Sequence, residues 1–519
     1  MTAVSQVEIA NAFQQQGKLE KARELYREIL ARNPNDESAL FGSANLAMKA
    51  GNPKIALALF SKAIEVNKSN AKLFHNRGRT YAAQQEYSLA INDYSTALKL
   101  TPASPLILSD RAICFSHLQD YKNALKDFDQ AIRFSPTSSN LFYNRAVVSG
   151  KAGEFDLAIS DYTKAIQLDP CHYLALHNRG MMQRSARRFN RAIEDFQLCL
   201  EINPNCYEAL WNKSLTHLMI GEYEIGWKLY EYRWNTKNFT SKRPNYQKPL
   251  WTGYESLIGK TILLHSEQGL GDTIQFSRYI KNFDQKKSNV ILEVEKPLMR
   301  MMASILPSHN IFEKGAYNGD FDFHCPLMSL PLAFQTRVDN IPFDKPYLNV
   351  DANIVNNWRM QLGEKLKPRI GIAWQGNPDH TSDQLRSIPL GEIINEMCHD
   401  FEWFSLQRDI SESDRQIIKQ HTGITHFGNE IGDFAKTGAL CSLLDAVISV
   451  DTSLAHLSAA IGQQTHLLLS ENHDWRWMQH QTKSPWYATV YLHRKNEKAI
   501  WSALFNSVIS ELKRNLLKK

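Results

Sequence analysis

Small and aromatic residues in the first 200 positions recur at helical spacing inside a longer period. Ala22, Ala56, Ala90, Ala124, Ala158 and Ala192 are each followed four residues later by a ring, at Tyr26, Phe60, Tyr94, Phe128, Tyr162 and Phe196. Residues four apart share one face of a helix, so each unit predicts a helix whose small residue allows close approach and whose ring fills the groove beside it. Prolines at 34, 102, 136, 170 and 204 keep the same 34-residue spacing, with Lys68 at the vacant mark. A fixed period of this length predicts stacked helix pairs. After Trp234 the helical period stops, and "NTKNFTSKRPNYQKPLWTGYESL" is a polar, proline-containing connector. From "GKTILLHS" onward, short apolar runs alternate with longer amphipathic ones, the pattern of parallel strands joined by helices. The strand candidates are "TILLHS", "NVILEVE", "RIGIAWQ", "EWFSLQ", "DAVISV" and "QTHLLLS". "KPYLNVDANIVNNWRMQLGEKLKP" separates an early group from a late one, which predicts two α/β lobes meeting at a cleft.

The first half resembles tetratricopeptide repeats, with about six full repeats and a divergent seventh that carries Gly226, Trp227 and Trp234. The expected division is a helical solenoid over 1–238, a connector over 239–257, and two lobes over 258–355 and 356–519. One position in the first helix of successive repeats reads Asn76, Asp110, Asn144, Asn178 and Asn212. A primary amide donates and accepts together, so a stripe of them can hold an extended peptide backbone without reading its side chains. The stripe resembles the asparagine ladder of eukaryotic protein O-GlcNAc transferases; simple helix packing accounts for it equally well. Beside it, Arg77, Arg111, Arg145 and Arg179 each precede an aspartate by 16 residues, at Asp93, Asp127, Asp161 and Asp195, which predicts a repeated ion pair.

A length of 519 residues exceeds what one hydrophobic core organises, in line with several domains. The net charge of +6 suits an anionic substrate, but without a concentrated Lys/Arg run it argues against nucleic-acid binding. The seven scattered cysteines contain no Cys-x-x-Cys pair and read as reduced thiols of a cytoplasmic protein. Neither a leader-like start nor a run of membrane-spanning length is expected.

In a parallel sheet, ligands bind beyond the carboxyl ends of the strands, so the loops there are where chemistry is sought. Three stand out. After "TILLHS" comes "EQGLGD", where Gly269 and Gly271 permit a tight turn and close backbone approach, leading to Asp272 and Thr273 near a helix start. After "RIGIAWQ", Gly376, Asn377 and His380 precede Arg386, whose guanidinium can hold a phosphate through two parallel hydrogen bonds. After "DAVISV", Asp451, Thr452 and Ser453 open a helix that carries His456. Its first free amides suit a phosphate, although helix capping is the plainer use of Asp272, Asp451 and Thr452.

"EQGLGDTIQFSRYI", "GIAWQGNPDH" with "RSIPL", and "VDTSLAHLSAAIG" followed by "DWRWM" and "SPWY" resemble glycosyltransferase family 9, the ADP-heptose:lipopolysaccharide heptosyltransferase relatives found fused to tetratricopeptide repeats in bacteria. That resemblance implies a GT-B domain of two Rossmann-like lobes and metal-independent transfer from a nucleotide sugar, with no cofactor. It implies Asp272 as general base, and a donor site drawn from Gly269, Gly271, Thr273, Gly376, Asn377, His380, Arg386, Asp451, Thr452, Ser453 and His456. The amides of 452–454 are expected to face the donor's phosphate, with Asp272 across a cleft from them. Where the family has a lysine-containing loop this chain reads "TSDQLRS", which leaves the sugar open. The acceptor is expected to be a protein or peptide held by the repeats, or else a lipopolysaccharide-type glycan. The rival reading is a non-catalytic scaffold; a nicotinamide enzyme fits less well, because "EQGLGD" lacks the full Gly-x-Gly-x-x-Gly. Two Asp-x-Asp pairs, Asp127 with Asp129 and Asp320 with Asp322, have the spacing of a manganese diphosphate site but read as structural.

Overall fold

A computed structural model of the chain describes residues 5–517 apart from 238, 240, 343–344, 378–382, 422 and 497–498, and gives only the backbone at 384–385. The chain forms two compact units, Met1–Pro204 and Asn205–Lys519.

In the first unit, the described residues form six helix pairs, from Gln6–Gln15 and Leu19–Arg32 to Tyr173–Ser185 and Phe189–Ile202. Helices begin where the sequence supplies a cap. Ser5 and Glu8 form a reciprocal capping box, Asp36 accepts from the Ala39 amide, and Pro53 and Pro105 occupy first helical positions. The periodic alanines are fully buried, and none of the six rings that follow them is more than 2% exposed. Each such ring contributes about 2 kcal/mol by leaving water. At Gly78 and Gly180 a Cβ would stand 2.7 Å from the rings of Tyr94 and Phe196, so hydrogen is all that fits.

The repeated ion pairs form, and each arginine does more than pair. Arg77, Arg111, Arg145 and Arg179 bind Asp93, Asp127, Asp161 and Asp195 through Nε and Nη2 at 2.6–2.9 Å. The remaining Nη1 reaches back to the preceding helix pair, to Ser61, Ser95, Asp129 and Thr163. One guanidinium therefore joins two successive repeats, and its fixed planar fork sets their spacing.

The boundary between the units lies earlier than the expected end of the solenoid. The divergent helix pair Tyr207–Met219 and Tyr223–Tyr230 lies in the second unit, so the first compact unit ends at Pro204. The reason is aromatic: Trp227 meets Trp475 at 5.3 Å and Phe276 at 6.3 Å, and Tyr223 stacks on Trp486 at 6.0 Å. With Trp227 only 1% exposed, this face is committed to the α/β core.

The second unit contains two wholly parallel sheets. The first orders its strands β3-β2-β1-β4, with β1 Thr261–His265, β2 Asn289–Val294, β3 Ile311–Glu313 and β4 Phe323–Pro326. The second runs β10-β9-β8-β5-β6-β7, from β5 Arg369–Ala373, β6 Glu402–Ser405 and β7 Ile424–His426 to β8 Ala446–Val450, β9 Thr465–Leu469 and β10 Val490–Arg494. All six expected strands form, joined by β3, β4, β7 and β10. Every residue of β5, β8 and β9 is buried, as a sheet covered on both faces requires. In the second sheet the order reverses between β5 and β8, a topological switch point, where parallel sheets place their ligand crevice beyond the strand ends. The helix Trp501–Leu516 covers the outer face with Trp501, Phe505, Val508, Ile509 and Leu512. Among the described residues no helix is long and apolar enough to cross a membrane.

Candidate functional site

Two of the three expected loops meet directly. The helix Leu270–Phe276 starts straight after β1 and its loop, with Gly269 as N-cap. A Cβ on Gly271 would stand 2.9 Å from His456 Cδ2 and 3.3 Å from the Ser453 Cα, so this helix start abuts the start of the helix Ser453–Ala460. The expected cleft between them is closed by van der Waals contact at this point.

Asp272 sits at the third position of its helix and reaches back: Oδ2 accepts from the Gly269 amide at 3.2 Å. Oδ1 accepts from Arg476 Nη2 at 2.6 Å. Burial raises the Asp272 carboxyl above its ordinary range, with Arg476 opposing and the charge of Asp474 adding to the rise. Arg476 also donates Nη1 to Asp474 Oδ1 at 2.8 Å and Nε to Gln275 Oε1 at 2.6 Å, with its guanidinium 4.5 Å from the centre of the Trp475 ring. Burial disfavours its charge, but Asp474 and Asp272 outweigh that and hold it protonated.

Asp451 and Thr452 leave β8 at the switch point. Burial first, then the neighbouring charge of Asp474, raises Asp451 to about 6, against the pull of Trp477, Arg476 and Arg386. Thr452 is the N-cap of the helix Ser453–Ala460, yet its side chain makes no capping bond and faces Ser449 Oγ at 3.2 Å. The capping expected of Thr452 is thus not made by its hydroxyl. Asp451, Thr452 and Ser453 are half-buried, within reach of a ligand.

His456 and Thr273 differ from expectation. His456 is 5% exposed, stacks on Trp477 at 5.3 Å and shares a 3.0 Å hydrogen bond between Nδ1 and the Tyr487 hydroxyl. Burial, then Arg476 and Arg278, push its pKa well down, so a neutral imidazole supports the helix junction and supplies no charge to a phosphate. Thr273 is 1% exposed and donates to Glu295 Oε2 at 3.1 Å. Both depart from a donor-contacting role because they serve the packing of the two helix starts.

After β5, the Gly376 amide donates to Ser387 Oγ at 3.0 Å, and a Cβ there would stand 2.7 Å from Arg386 Nη2. Arg386 ends the one-turn helix Asp383–Arg386 and donates Nε to Asp383 Oδ1 at 3.0 Å. Asn377 is exposed, and His380 lies outside the described residues. Arg386 influences Asp451 electrostatically, which ties this loop to the other two.

The residues that sequence reasoning missed are those that bind the loops together: Arg476, Asp474, Gln275 and Tyr487. "DWRWM" held the signal, a cation between two tryptophans, where a buried arginine needs carboxylates from elsewhere in the chain. A second buried pair supports the first loop, with Arg233 Nε and Nη2 on Glu267 at 2.7 and 2.8 Å.

The amide stripe is half-buried at Asn76, Asp110, Asn144 and Asn178. Asn76 donates to the Lys72 carbonyl at 2.8 Å, Asp110 lies 2.7 Å from His75 Nε2, and Asn178 donates to the Tyr143 hydroxyl at 3.2 Å. Asn178 Oδ1 also lies 3.0 Å from His177 Nδ1, and an amide with one or two such bonds keeps some donor or acceptor capacity. Asn212 is part of the second unit, where it is buried and donates to the Glu208 carbonyl at 2.8 Å, so the stripe in the array stops at Asn178. The Asp-x-Asp pairs are structural, as read. Asp127 and Asp129 bind Arg111 and Arg145, Asp320 binds Lys248, and Asp322 binds Lys260 and the Thr261 amide.

A family model described as tetratricopeptide repeat matches residues 7–71 and 75–139, and a second with the same description matches 139–171 and 173–206. Protein FlbA of Caulobacter vibrioides is 24% identical over 334 residues, 57% of this chain and 53% of that protein. The chain thus spans about half the length of the curated relative it matches. Among solved structures, YrrB, titled a TPR protein with an unusual peptide-binding site, is 22% identical with a TM-score of 0.33, covering 37% of this chain and 98% of its own. Pseudomonas aeruginosa pilF is 18% identical with a TM-score of 0.35, covering 39% and 93%. The first part of the chain is a tetratricopeptide-repeat array, followed by an α/β region with parallel sheets.

Proposed function

We propose that the protein is a GT-B glycosyltransferase that moves a sugar from a nucleotide-sugar donor to an acceptor hydroxyl on a protein or peptide held by the repeat array. The observation that carries this reading is the meeting of the Gly269–Asp272 loop of one sheet with the Asp451–His456 segment at the switch point of the other, locked by Arg476. A donor diphosphate in that crevice meets the amides at the start of the helix Ser453–Ala460 and the charges of Arg386 and Arg476. Asp272 is the general base: burial raises its pKa, and a phosphate that draws Arg476 away frees the oxygen that takes the acceptor's proton. The chemistry assigned to these residues needs no metal or cofactor.

A thermal-shift panel of ADP-, UDP-, GDP- and CMP-sugars tests donor binding, and mass analysis of candidate acceptors tests transfer. Stabilisation by one nucleotide class and loss of transfer in Asp272→Ala are the expected results. Equal transfer by Asp272→Ala removes that residue from the mechanism. One observation favours a second reading, a non-catalytic scaffold: both Asp272 oxygens already have partners, Gly269 N–H and Arg476. No stabilisation by any nucleotide sugar would support it.

A further inference from the structure

The outer edge of the second sheet carries a cluster that shares no residue with the crevice. β10 is the edge strand and β9 its parallel neighbour, with His466 opposite Tyr491 and His493 opposite Leu468. Side chains two apart on a strand share a face, so His493 projects on the same side as Tyr491 and His466. The two imidazoles stack at 5.1 Å, with His466 Nδ1 2.9 Å from His493 Nε2. The helix Trp501–Leu516 crosses this face and brings Glu511, so that one ligand atom from each of His466, His493 and Glu511 lies within 4.8 Å of the others. Among the described residues this is the group of three ligand-type side chains close enough to share an ion.

We propose that His466 Nδ1, His493 Nε2 and the Glu511 carboxylate form a structural site for a divalent transition metal of the zinc class, with water in the fourth position. Two imidazoles and a carboxylate are a recurrent zinc donor set. Ligand atoms about 2.0–2.1 Å from a tetrahedral ion lie roughly 3.3 Å apart, so the two nitrogens are already near the required separation and only the flexible glutamate has to close in. Burial holds His466 down to about 3 and His493 to about 4, so both rings are neutral with a lone pair to offer. Orientation is also supplied. Gln464 Nε2 lies 2.9 Å from His466 Nε2; turning that amide over places Oε1 there to accept the Nε2 hydrogen, which leaves Nδ1 for the metal. Tyr491 stacks on His466 at 5.2 Å and fixes the ring plane. A hydrogen bond between the imidazoles explains their short distance without an ion, but it does not use the carboxylate that the terminal helix brings. The site's role is to pin that helix to the sheet edge.

The test uses the full chain without an affinity tag, stripped with chelator and titrated with zinc and, for its visible bands, cobalt. One equivalent of tightly bound metal and a higher Tm on loading are expected. His493→Gln and Glu511→Gln, both at half-buried positions, are expected to bind at least about 100-fold more weakly and to lose the Tm rise. Gln464→Ala is expected to weaken binding by about 10–100-fold. Less than one equivalent bound, or undiminished binding by both ligand variants with unchanged circular dichroism, would overturn the proposal and leave a hydrogen-bonded histidine pair.

Discussion

Arg145 in the repeat array and Arg476 in the α/β unit each hold two carboxylates, yet they do different work. Arg145 binds Asp161 within its own repeat and Asp129 in the preceding one, and Asp129 keeps 54% of its side chain in water. Three other arginines repeat the arrangement, with a serine or threonine in place of Asp129. In its unit Arg233 likewise holds two carboxylates, Glu231 and Glu267, but Arg476 spans a longer stretch of chain. It is 10% exposed and joins Asp474, two residues away, to Asp272, 204 residues away, with Gln275 on its third nitrogen. In the array the pair sets a spacing and is backed by its neighbours. In the α/β unit it is the ion-pair tie between the helix that follows β1 and the segment that follows β9, beside the ring contact of Phe276 with Trp486.

Breaking that tie has the largest expected effect. Arg476→Ala leaves Asp272 and Asp474 close together without their counter-charge, and removal of one partner from a buried ion pair costs about 3 kcal/mol or more. Urea denaturation should show this loss, whereas Arg111→Ala, in an array with three equivalent ties, should lose clearly less. Equal losses would mean that the α/β pair has no special standing.

Gly271 and Gly150 sharpen the contrast next. A methyl on Gly271 meets the His456 ring, which cannot swing away because Trp477 stacks on it and Tyr487 bonds to it. Overpacking of this kind costs about 1–3 kcal/mol, more than the roughly 1 kcal/mol that alanine gains over glycine in a helix. A methyl on Gly150 meets the thioether of Met182 at 3.0 Å, a flexible neighbour that can move. Gly271→Ala should therefore lower Tm, and Gly150→Ala should leave it unchanged or raise it.

The pH response within the α/β unit is a smaller effect. Asp451 binds its proton more tightly folded, at about 6, than unfolded, so its contribution is fully present below the unfolded value and is lost as pH rises toward 6. His456 acts oppositely: its depressed pKa means that the unfolded chain takes up the extra proton, so stability rises with pH until about 6.5. The two slopes oppose each other between about pH 4 and 6. Asp451→Asn removes one of them, and its stability, followed by denaturant midpoint, should rise more steeply with pH over that range than the parent's. An unchanged slope would show that Asp451 titrates normally.

Legibility follows the same division. The 34-residue period exposed the helix pairs, the buried rings and the four ion pairs, because a repeat places each partner at a constant offset. Six strands were readable as apolar runs, whereas β3 and β7 are three residues long and β10, "VYLHR", mixes polar residues into its run. The first compact unit ends before the helical pattern does, because Gly226 and Trp227 keep that pattern while changing what the helices pack against. Strand-end loops pointed to Asp272 and Asp451, but the inward turn of His456 and Thr273 depends on Tyr487 and Glu295, distant residues that no local pattern pairs with them. Arg476 was hidden for the same reason.

The smallest expected effect concerns the charge that sets Arg145 apart from its own series. Arg145 Nη1 reaches Asp129 at 2.6 Å, while the matching nitrogens of Arg77, Arg111 and Arg179 reach Ser61, Ser95 and Thr163 at 3.0–3.1 Å. The shorter distance suggests a stronger bond, but half of Asp129 is in water, where an ion pair contributes roughly 0–1 kcal/mol and weakens with salt. Asp129→Ser restores the hydroxyl found in two of the other repeats and keeps an acceptor for Nη1. Its midpoint in urea should lie within about 0.5 kcal/mol of the parent, with the difference shrinking as salt is added. A loss as large as that of Arg476→Ala would place the array's stability in its second carboxylate rather than in the bidentate pairs, and would erase the distinction between the two units.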